Sequence, residues 1–423
     1  MQDYDRTSTG WVRMSTPTTR NGGDTEVDDN GRVKSPAVTR SDPPHAQIRT
    51  AVGRVCQGFP SSYWQDLDRE RQYPEAFVAA MTASGLLGAL VPKEFGGLGL
   101  SMTEASVIVE EVNRSGGNAG QCHAQMYVMG TLLRHGSEAQ KRIYLPKIAT
   151  GEWRLQAFGV TEPDAGTDTT RISTTAERRG DTFVVNGEKV FISRVQHSDL
   201  MLLLVRTTPR EQVAKRTHGL SLLLVDLREA VGNGMVVDPI YTMMNNATNR
   251  WEFHDLEVPA GNLVGEEGNG FRYLLAGVNA ERILIAGECV GDGRWFIEQA
   301  AARAKNRQVF GRSIGQNQGV QFPLARAHVD VEAADLMRFR AAELCDRGEP
   351  CGAEANMAKL LAADASWQAA NTAMQTFGGY AFDVSNDIER KFRETRLYQV
   401  APISTTMILS YIAEHVLGLP RSF

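Results

Sequence analysis

The chain of 423 residues is 42% hydrophobic and 22% charged, with a formal net charge of −5 at pH 7. This composition is typical of a globular protein of two or three domains, and the charge gives no electrostatic attraction for nucleic acid. No apolar run reaches the ~18 residues of a membrane span, and no secretory signal is recognisable at the amino terminus. The five cysteines are scattered without metal-ligand spacing, which predicts reduced thiols in a cytoplasmic protein and no metal site.

The amino-terminal part of the chain changes character near residue 44. Residues 1–43 are rich in Ser, Thr, Asp and Gly, and we expect a disordered tail because they can bury little apolar surface. Residues 44–154 show helical periodicity and predict an all-α domain. Helix starts are marked by a proline and two capping boxes, at Tyr73-Pro74, Ser101 to Glu104 and Ser137 to Gln140.

Residues 155–266 have the alternating pattern of β-strands. From Phe158 to Ser193 an apolar run, a loop of small and acidic residues and two predicted strands follow one another. Asn186-Gly187 is a hairpin signal, since both residues tolerate positive φ. Further strand segments are Leu200 to Val205, Leu220 to Asp226, Val236 to Tyr241 and Trp251 to Val258. We expect a small central antiparallel β-barrel or sandwich.

Residues 267–423 are helical again, with long amphipathic segments. The four candidates are Phe271 to Ala304, Pro323 to Arg347, Ala353 to Phe377 and Thr405 to Leu417. Four such helices predict a four-helix bundle. The fold class is therefore α+β: an all-α domain, a central antiparallel β-barrel and a bundle. No G-x-G-x-x-G follows a strand, which argues against a Rossmann nucleotide site.

Five motifs in order along the chain resemble those of the acyl-CoA dehydrogenase family. They are Val160 to Asp168 (VTEPDAGTD), Asn186 to Ser193 (NGEKVFIS), Glu281-Arg282, Arg307 to Gly311 with Gln318, and Gln375 to Gly379 (QTFGG). The resemblance covers roughly residues 45 to 423. It implies FAD bound between the β domain and the bundle, an acyl-CoA substrate, and a homotetramer built as a dimer of dimers.

The resemblance also implies roles for individual residues. At the flavin ring the expected residues are Phe158, Val160, Thr161, Thr167, Phe191 in the usual place of tryptophan, Ser193 in that of threonine, and Ser404. The pyrophosphate and adenosine of a neighbouring subunit's FAD are expected at Arg307, Phe310, Gln318, Gln375, Gly378 and Gly379. Beside the acyl-CoA the expected residues are Thr167, Asn279, Arg282 and Thr248. An arginine suits a phosphate, and a pair of glycines lets the backbone approach a dinucleotide.

The carboxylate that would act as the catalytic base does not occupy its most common position in the family. Many family members carry it in a Tyr-Glu-Gly-Thr loop before the last helix, but Pro402 stands there in this chain. Isovaleryl and long-chain types place the base on the first bundle helix, where the matching residue is Glu281. Leu274 and Ile285 share the helix face of Glu281, so the Glu281 side chain is expected to project from an apolar face of the helix. The alternative is a helix-surface ion pair of Glu281 with Arg282.

Pro402 also lacks the backbone N–H that would polarise the thioester carbonyl. Either Ala401 or Ile403 supplies that donor, or the ribityl hydroxyl of the flavin carries more of the stabilisation. The leading interpretation is an acyl-CoA dehydrogenase of β-oxidation that passes electrons to an electron-transfer flavoprotein. The alternatives are an acyl-CoA oxidase, a flavin-dependent monooxygenase of the same fold, and a non-catalytic acyl-CoA-binding relative.

Overall fold

The computed structural model describes residues 5–7, 10–12 and 45–421. In the amino-terminal unit, strands β1 (Asp5–Thr7) and β2 (Gly10–Val12) pair antiparallel. The sequence pattern predicted no ordered element at these six residues. The rest of the predicted disordered tail, residues 1–43, lies outside the described residues.

Six helices follow in the first part of the second unit. They are α1 (Ala46–Cys56), α2 (Ser61–Glu70), α3 (Glu75–Ala83), α4 (Met102–Arg114), α5 (Gly120–His135) and α6 (Glu138–Thr150). Both predicted capping boxes are confirmed. The Ser101 hydroxyl accepts from the N–H of Glu104, and the Ser137 hydroxyl accepts from the N–H of Gln140.

The central domain is a sheet of eight strands. They are β3 (Leu155–Gly159), β4 (Thr175–Arg179), β5 (Thr182–Ser193), β6 (Leu200–Arg206), β7 (Leu220–Asp226), β8 (Met235–Pro239), β9 (Thr248–Pro259) and β10 (Leu263–Val264), with the short helix α7 (Leu227–Ala230) after β7. The hydrogen-bonded order is β10-β7-β6-β4-β5-β9-β8. Most neighbours are antiparallel, but β3 and β4 each pair with β6 in parallel. The sheet is therefore mixed rather than purely antiparallel.

The hairpin predicted at Asn186-Gly187 is wrong, because β5 runs through both residues without turning. The turn lies instead at Gly180-Asp181, between the paired residues Arg179 and Thr182. Gly187 has φ 140° at a β-bulge, where the register of β5 against β9 shifts. The Asn186 side chain bonds Asp255 on β9 rather than capping a turn, with an Nδ2–Oδ1 distance of 2.9 Å.

Long helices form the last domain. They are α8 (Gly270–Asn306), α9 (Gln318–Asp346), α10 (Gly352–Phe377), α11 (Asp387–Arg396) and α12 (Thr405–Tyr411), with strands β11 (Gln308–Val309) and β12 (Arg312–Ser313) between α8 and α9. The predicted order of helical, sheet and helical domains is confirmed. A π-helical turn, Ile412–Val416, continues α12. Helix α11 was not predicted from the sequence.

Close packing of α8 joins the two helical domains and positions the site. A Cβ on Gly291 of α8 would lie 2.2 Å from the carbonyl oxygen of Glu110 on α4, so only glycine permits this approach. A second apolar cluster packs α5 and the start of α8 against one face of the sheet, through Phe158 and Leu274. None of the described helices combines the length and apolar character that a membrane crossing requires.

Candidate active site

Glu281 lies in the first half of α8 and is 7% exposed. Its burial raises the pKa of the carboxyl to about 7, although the hydroxyl of Tyr127 hydrogen-bonds it and His123 and Arg282 act in the opposite direction. Leu274 and Ile285, on the same helix face, are also buried. The carboxyl therefore sits in an interior environment in which it is a usable base near neutral pH.

Tyr127 on α5 connects Glu281 to the sheet. Its ring centroid lies 6.1 Å from that of Phe158 on β3 and 5.9 Å from that of His123 on α5. His123 Nδ1 is 2.6 Å from Oε1 of Glu288, which is fully buried two turns along α8 from Glu281. Tyr127, His123 and Glu288 were not predicted from the sequence. The available signal was the seven-residue spacing of Glu281 and Glu288 within an apolar run.

The loop after β3 is held by a buried ion pair that sequence reasoning also missed. Lys189 Nζ donates to the carbonyl of Val160 at 3.0 Å and lies 2.9 Å from Glu162. Burial alone would raise the pKa of Glu162, but Lys189 and hydrogen bonds from Ser173 and Thr174 lower it to about 2. The N–H of Val190 donates to the carbonyl of Thr161 at 2.9 Å. Both members of the pair belong to the quoted motifs.

Ser193 and Thr248 are brought together as partners in the β5–β9 register. Their hydroxyl oxygens are 3.5 Å apart, and Asn246 Nδ2 donates to the Ser193 hydroxyl at 2.9 Å. Phe191 is 64% exposed in a left-handed conformation, at φ 58°. Thr167 is exposed in the loop before β4. The predicted flavin-ring residues other than Ser404 thus lie along β3, its loop and the end of β5.

Asn279 and Arg282 form a pair on α8, with Arg282 Nη1 donating to Asn279 Oδ1 at 2.7 Å. Burial lowers the pKa of Arg282. A Cβ on Gly352 would lie 3.1 Å from Tyr411 Oη and 3.8 Å from Asn279 Nδ2, which places this pair near the start of α10 and the end of α12.

The loop that carries Pro402 is fixed by Lys359 of α10. Its ammonium donates to the carbonyl of Ile403 at 2.8 Å and to that of Tyr398, and burial lowers the pKa of Lys359 to about 8. The N–H of Ala401 already donates to the carbonyl of Leu397 at 2.9 Å. Since the N–H of Ala401 is already engaged, the N–H of Ile403 is the backbone donor that remains in place of Pro402. Ser404 caps α12 by accepting from the N–H of Met407.

A second group of predicted residues lies at the far end of α8. Arg307, Gln375, Gly378 and Gly379 line a cleft of about 530 Å³. Gly378 has φ 62° and ψ −135°, a conformation that only glycine adopts readily, and a Cβ there would meet no atom within 4 Å. Arg303, which was not predicted, also lines the cleft and lies over the ring of Tyr380.

Phe310 is fully exposed in the turn between β11 and β12, with φ 51°, and Gln318 begins α9. The cationic Arg303 and Arg307, the Gln375 amide and the open glycine backbone fit the phosphates and adenosine of FAD. At 1.5 Å per residue, Arg307 lies roughly 39 Å along α8 from Glu281. The structure therefore divides the predicted residues into two separate groups.

Comparison with known proteins agrees with this architecture over most of the chain. Family models of the N-terminal, middle and C-terminal domains of acyl-CoA dehydrogenases match residues 42–152, 157–256 and 268–417. Acyl-CoA dehydrogenase FadE12 of Mycobacterium tuberculosis is 34% identical over 381 residues, 89% of this chain and 96% of that protein. Glutaryl-CoA dehydrogenase of Desulfococcus multivorans is 32% identical over 385 residues, 89% and 96% of the two chains. The crystal structure of an acyl-CoA dehydrogenase from Geobacillus kaustophilus has a TM-score of 0.83 at 30% identity and covers 89% and 99% of the chains.

Proposed function

The chain belongs to the acyl-CoA dehydrogenase family of FAD-dependent oxidoreductases, and we propose that it desaturates an acyl-CoA thioester to the trans-2-enoyl-CoA with Glu281 as the base. The observation that carries this proposal is the buried Glu281 carboxyl, whose pKa is raised to about 7, one aromatic ring away from Phe158. FAD, when bound, accepts the hydride that leaves the β-carbon.

The surroundings of Glu281 suit proton abstraction. Burial makes the carboxylate more basic than a solvated one, so it can take the α-proton of a thioester. Tyr127 lies close to the carboxyl and interacts with it electrostatically. The negative charge that develops on the thioester oxygen needs a donor, and we assign that donor to the N–H of Ile403, in the loop that Lys359 anchors.

Anaerobic addition of acyl-CoAs of several chain lengths should bleach the flavin absorbance near 450 nm. Because Glu281 must be ionised, kcat/KM should rise about tenfold per pH unit below pH ~7 and level off above it. The measurement is stopped-flow flavin reduction from pH 5.5 to 9. Bleaching by none of the acyl-CoAs would refute the proposed reaction, whereas fast reoxidation of the reduced enzyme by oxygen would indicate an oxidase.

We further propose a homotetramer with electron-transfer flavoprotein as electron acceptor. Phe322, Val329 and Leu336 are exposed and recur every seven residues, so they form one apolar stripe on α9. Phe310 is fully exposed beside the cleft at Arg307. Since that cleft lies far along α8 from Glu281, a neighbouring subunit's FAD would contact it. These observations support an assembly that buries α9 and completes each cofactor site.

Leu336→Glu should disrupt this assembly, because it places a charge in the middle of the apolar stripe. We expect a native mass below that of four chains by light scattering, together with FAD loss on dilution. Val236→Glu is the matched control, since Val236 is an exposed apolar residue on β8. A variant that keeps both the wild-type mass and its FAD would contradict the proposed interface.

A further inference from the structure

Arg194 is a buried arginine with few partners. It follows Ser193, has φ 68°, and is 6% exposed. Its Nη2 donates to Asn246 Oδ1 at 2.7 Å, but its Nε has no hydrogen-bond partner among the described residues. Arg206 is equally buried on β6, yet its Nε and Nη2 donate to the carbonyls of Ile172 and Thr170. Arg194 is thus under-bonded for an interior guanidinium.

The side chain of Arg194 reaches the start of α5. A Cβ on Gly120 would lie 2.5 Å from its Nη2. Gly120, His123 and Tyr127 share one face of α5, since they are three, four and seven residues apart. Tyr127 interacts electrostatically with both Arg194 and Glu281. The geometry places Arg194 against the first turn of the helix that carries His123 and Tyr127, and Tyr127 in turn interacts with Glu281.

Glu288 adds to this region a carboxylate oxygen that has no hydrogen-bond donor among the described residues. One carboxylate oxygen contacts His123 at 2.6 Å, while Oε2 has no hydrogen-bond partner among the described residues and the side chain is fully buried. Glu288 also interacts electrostatically with Arg194 and with Glu281. One buried donor and one buried acceptor in the same cluster are each costly unless a ligand completes them.

The proposed reaction puts this cluster beside the acyl chain. The α-carbon must lie at Glu281, and the β-carbon must face the flavin site at Phe158 and Ser193. The rest of the acyl group then continues into the region bordered by Tyr127, His123 and Arg194. An unsubstituted alkyl chain would bury the Arg194 donor and the Glu288 acceptor without partners. A carboxylate would pair with the Arg194 guanidinium but would also meet the negative charges of Glu288 and of ionised Glu281, whereas an uncharged oxygen meets no such repulsion.

We propose that the enzyme takes acyl-CoA thioesters whose acyl group carries an uncharged hydroxyl or carbonyl oxygen beyond the β-carbon, and that Arg194 determines this specificity. The inference rests on the proposed function, because that reaction fixes the direction of the acyl chain. A hydroxyl group suits the cluster best, since it accepts from a guanidinium and donates to a carboxylate. A carbonyl oxygen satisfies the Arg194 donor alone.

The first test compares matched acyl-CoAs with the wild-type holoenzyme. Pentanoyl-, 5-hydroxypentanoyl-, 4-oxopentanoyl- and glutaryl-CoA, with shorter and longer series of the same type, differ mainly in the polar group. We expect kcat/KM for the best hydroxyl or oxo substrate to exceed that of its alkyl match by at least about tenfold. Equal or better reduction by the alkyl or dicarboxylic compounds would overturn the inference alone. Reduction by no acyl-CoA would instead refute the proposed function.

The second test replaces Arg194 with Met, which keeps length and removes the donors. The hydroxyl-to-alkyl ratio of kcat/KM should fall by about 10- to 100-fold, the size of one or two lost hydrogen bonds. Arg206→Met is the control and should leave the ratio unchanged, because Arg206 bonds only backbone carbonyls in the sheet. An unchanged ratio in Arg194→Met would overturn the role of Arg194.

A binding measurement covers the case in which Arg194→Met does not fold. CoA thioethers that lack the carbonyl oxygen cannot be desaturated, so calorimetry reports their affinity without turnover. The wild-type enzyme should bind a hydroxyl-bearing thioether about tenfold more tightly than its alkyl match. Equal affinities would contradict the proposed specificity whether or not the variant is available.

Discussion

Glu281→Gln is expected to slow flavin reduction by acyl-CoA by about 10²–10⁴-fold while FAD stays bound. Glutamine keeps the shape of the side chain and can still bond the Tyr127 hydroxyl, but it cannot accept the α-proton. The measurement is anaerobic stopped-flow reduction with the flavin content determined in parallel. Glu298→Gln, an exposed position on the same helix, is the control. Undiminished reduction in Glu281→Gln would exclude Glu281 as the base.

The same variant should be more stable than the wild type at high pH. Burial raises the pKa of Glu281 from 4.5 to about 7, so the native state holds a proton that the unfolded chain releases between these values. Stability therefore falls as pH rises through this window, by up to about 3 kcal/mol above pH 7. The neutral Gln side chain does not ionise, so the variant does not lose stability in this way. The melting temperature of Glu281→Gln should exceed that of the wild type at pH 8, and the difference should shrink towards pH 5.

Glu110→Gln is expected to destabilise the protein by about 3–5 kcal/mol, because it removes the fully buried anion that three arginines share. Glu110 on α4 is fully buried and bonds Arg49 through both oxygens, at 2.7 and 2.8 Å. Arg294 of α8 and Arg338 of α9 also contact it. Burial alone would raise the pKa of Glu110, but the three guanidinium groups lower it to about 2. One carboxylate of α4 thus contacts arginines of α1, α8 and α9, which Glu111, Glu332 and Asp335 also partner.

Chemical denaturation at neutral pH measures the effect on stability. The pair of Arg114 and Glu298 provides a matched control, since it also joins α4 to α8 but is exposed. Glu298→Gln should cost no more than about 1 kcal/mol. Since the pKa of Glu110 is lowered, its stabilisation is present above pH ~4.5 and is lost as the pH falls towards 2. Equal losses in the two variants would show that burial does not strengthen the Glu110 cluster.

Several features of the fold were predictable because their signals are local. The capping boxes at Ser101 and Ser137 are read from four residues each, and both form as predicted. The stripe through Leu274 and Ile285 likewise placed Glu281 on a buried face of α8. The errors involve distant partners. Asn186-Gly187 is a dipeptide typical of turns, but the Asn186 side chain bonds Asp255 of β9 and strand β5 continues through both residues.

Helix α11 was missed because it has no apolar stripe. Its sequence, DIERKFRETR, is mostly charged, yet Arg390 and Lys391 are almost fully buried. Arg390 pairs with Asp387 and Glu394 of its own helix and donates to the carbonyl of Gly116, whereas Lys391 lies against Asp292 of α8. Charges of this kind become interior residues only when partners from other elements meet them, and hydrophobic periodicity carries no sign of that.

The sequence by itself determined the order of the three domains, the motifs that resemble the family, and Glu281 as the candidate base. The domain order follows from periodicity and caps, which are properties of neighbouring residues, whereas Glu281 as the candidate base is what the family resemblance implies. Only the tertiary structure decided that Tyr127, His123 and Glu288 lie near that base, that Arg194 reaches the start of α5, and that Lys359 holds the loop at Pro402. Whether a buried polar atom finds a partner depends on side chains far apart in sequence, so local patterns cannot show which donors and acceptors remain for a substrate.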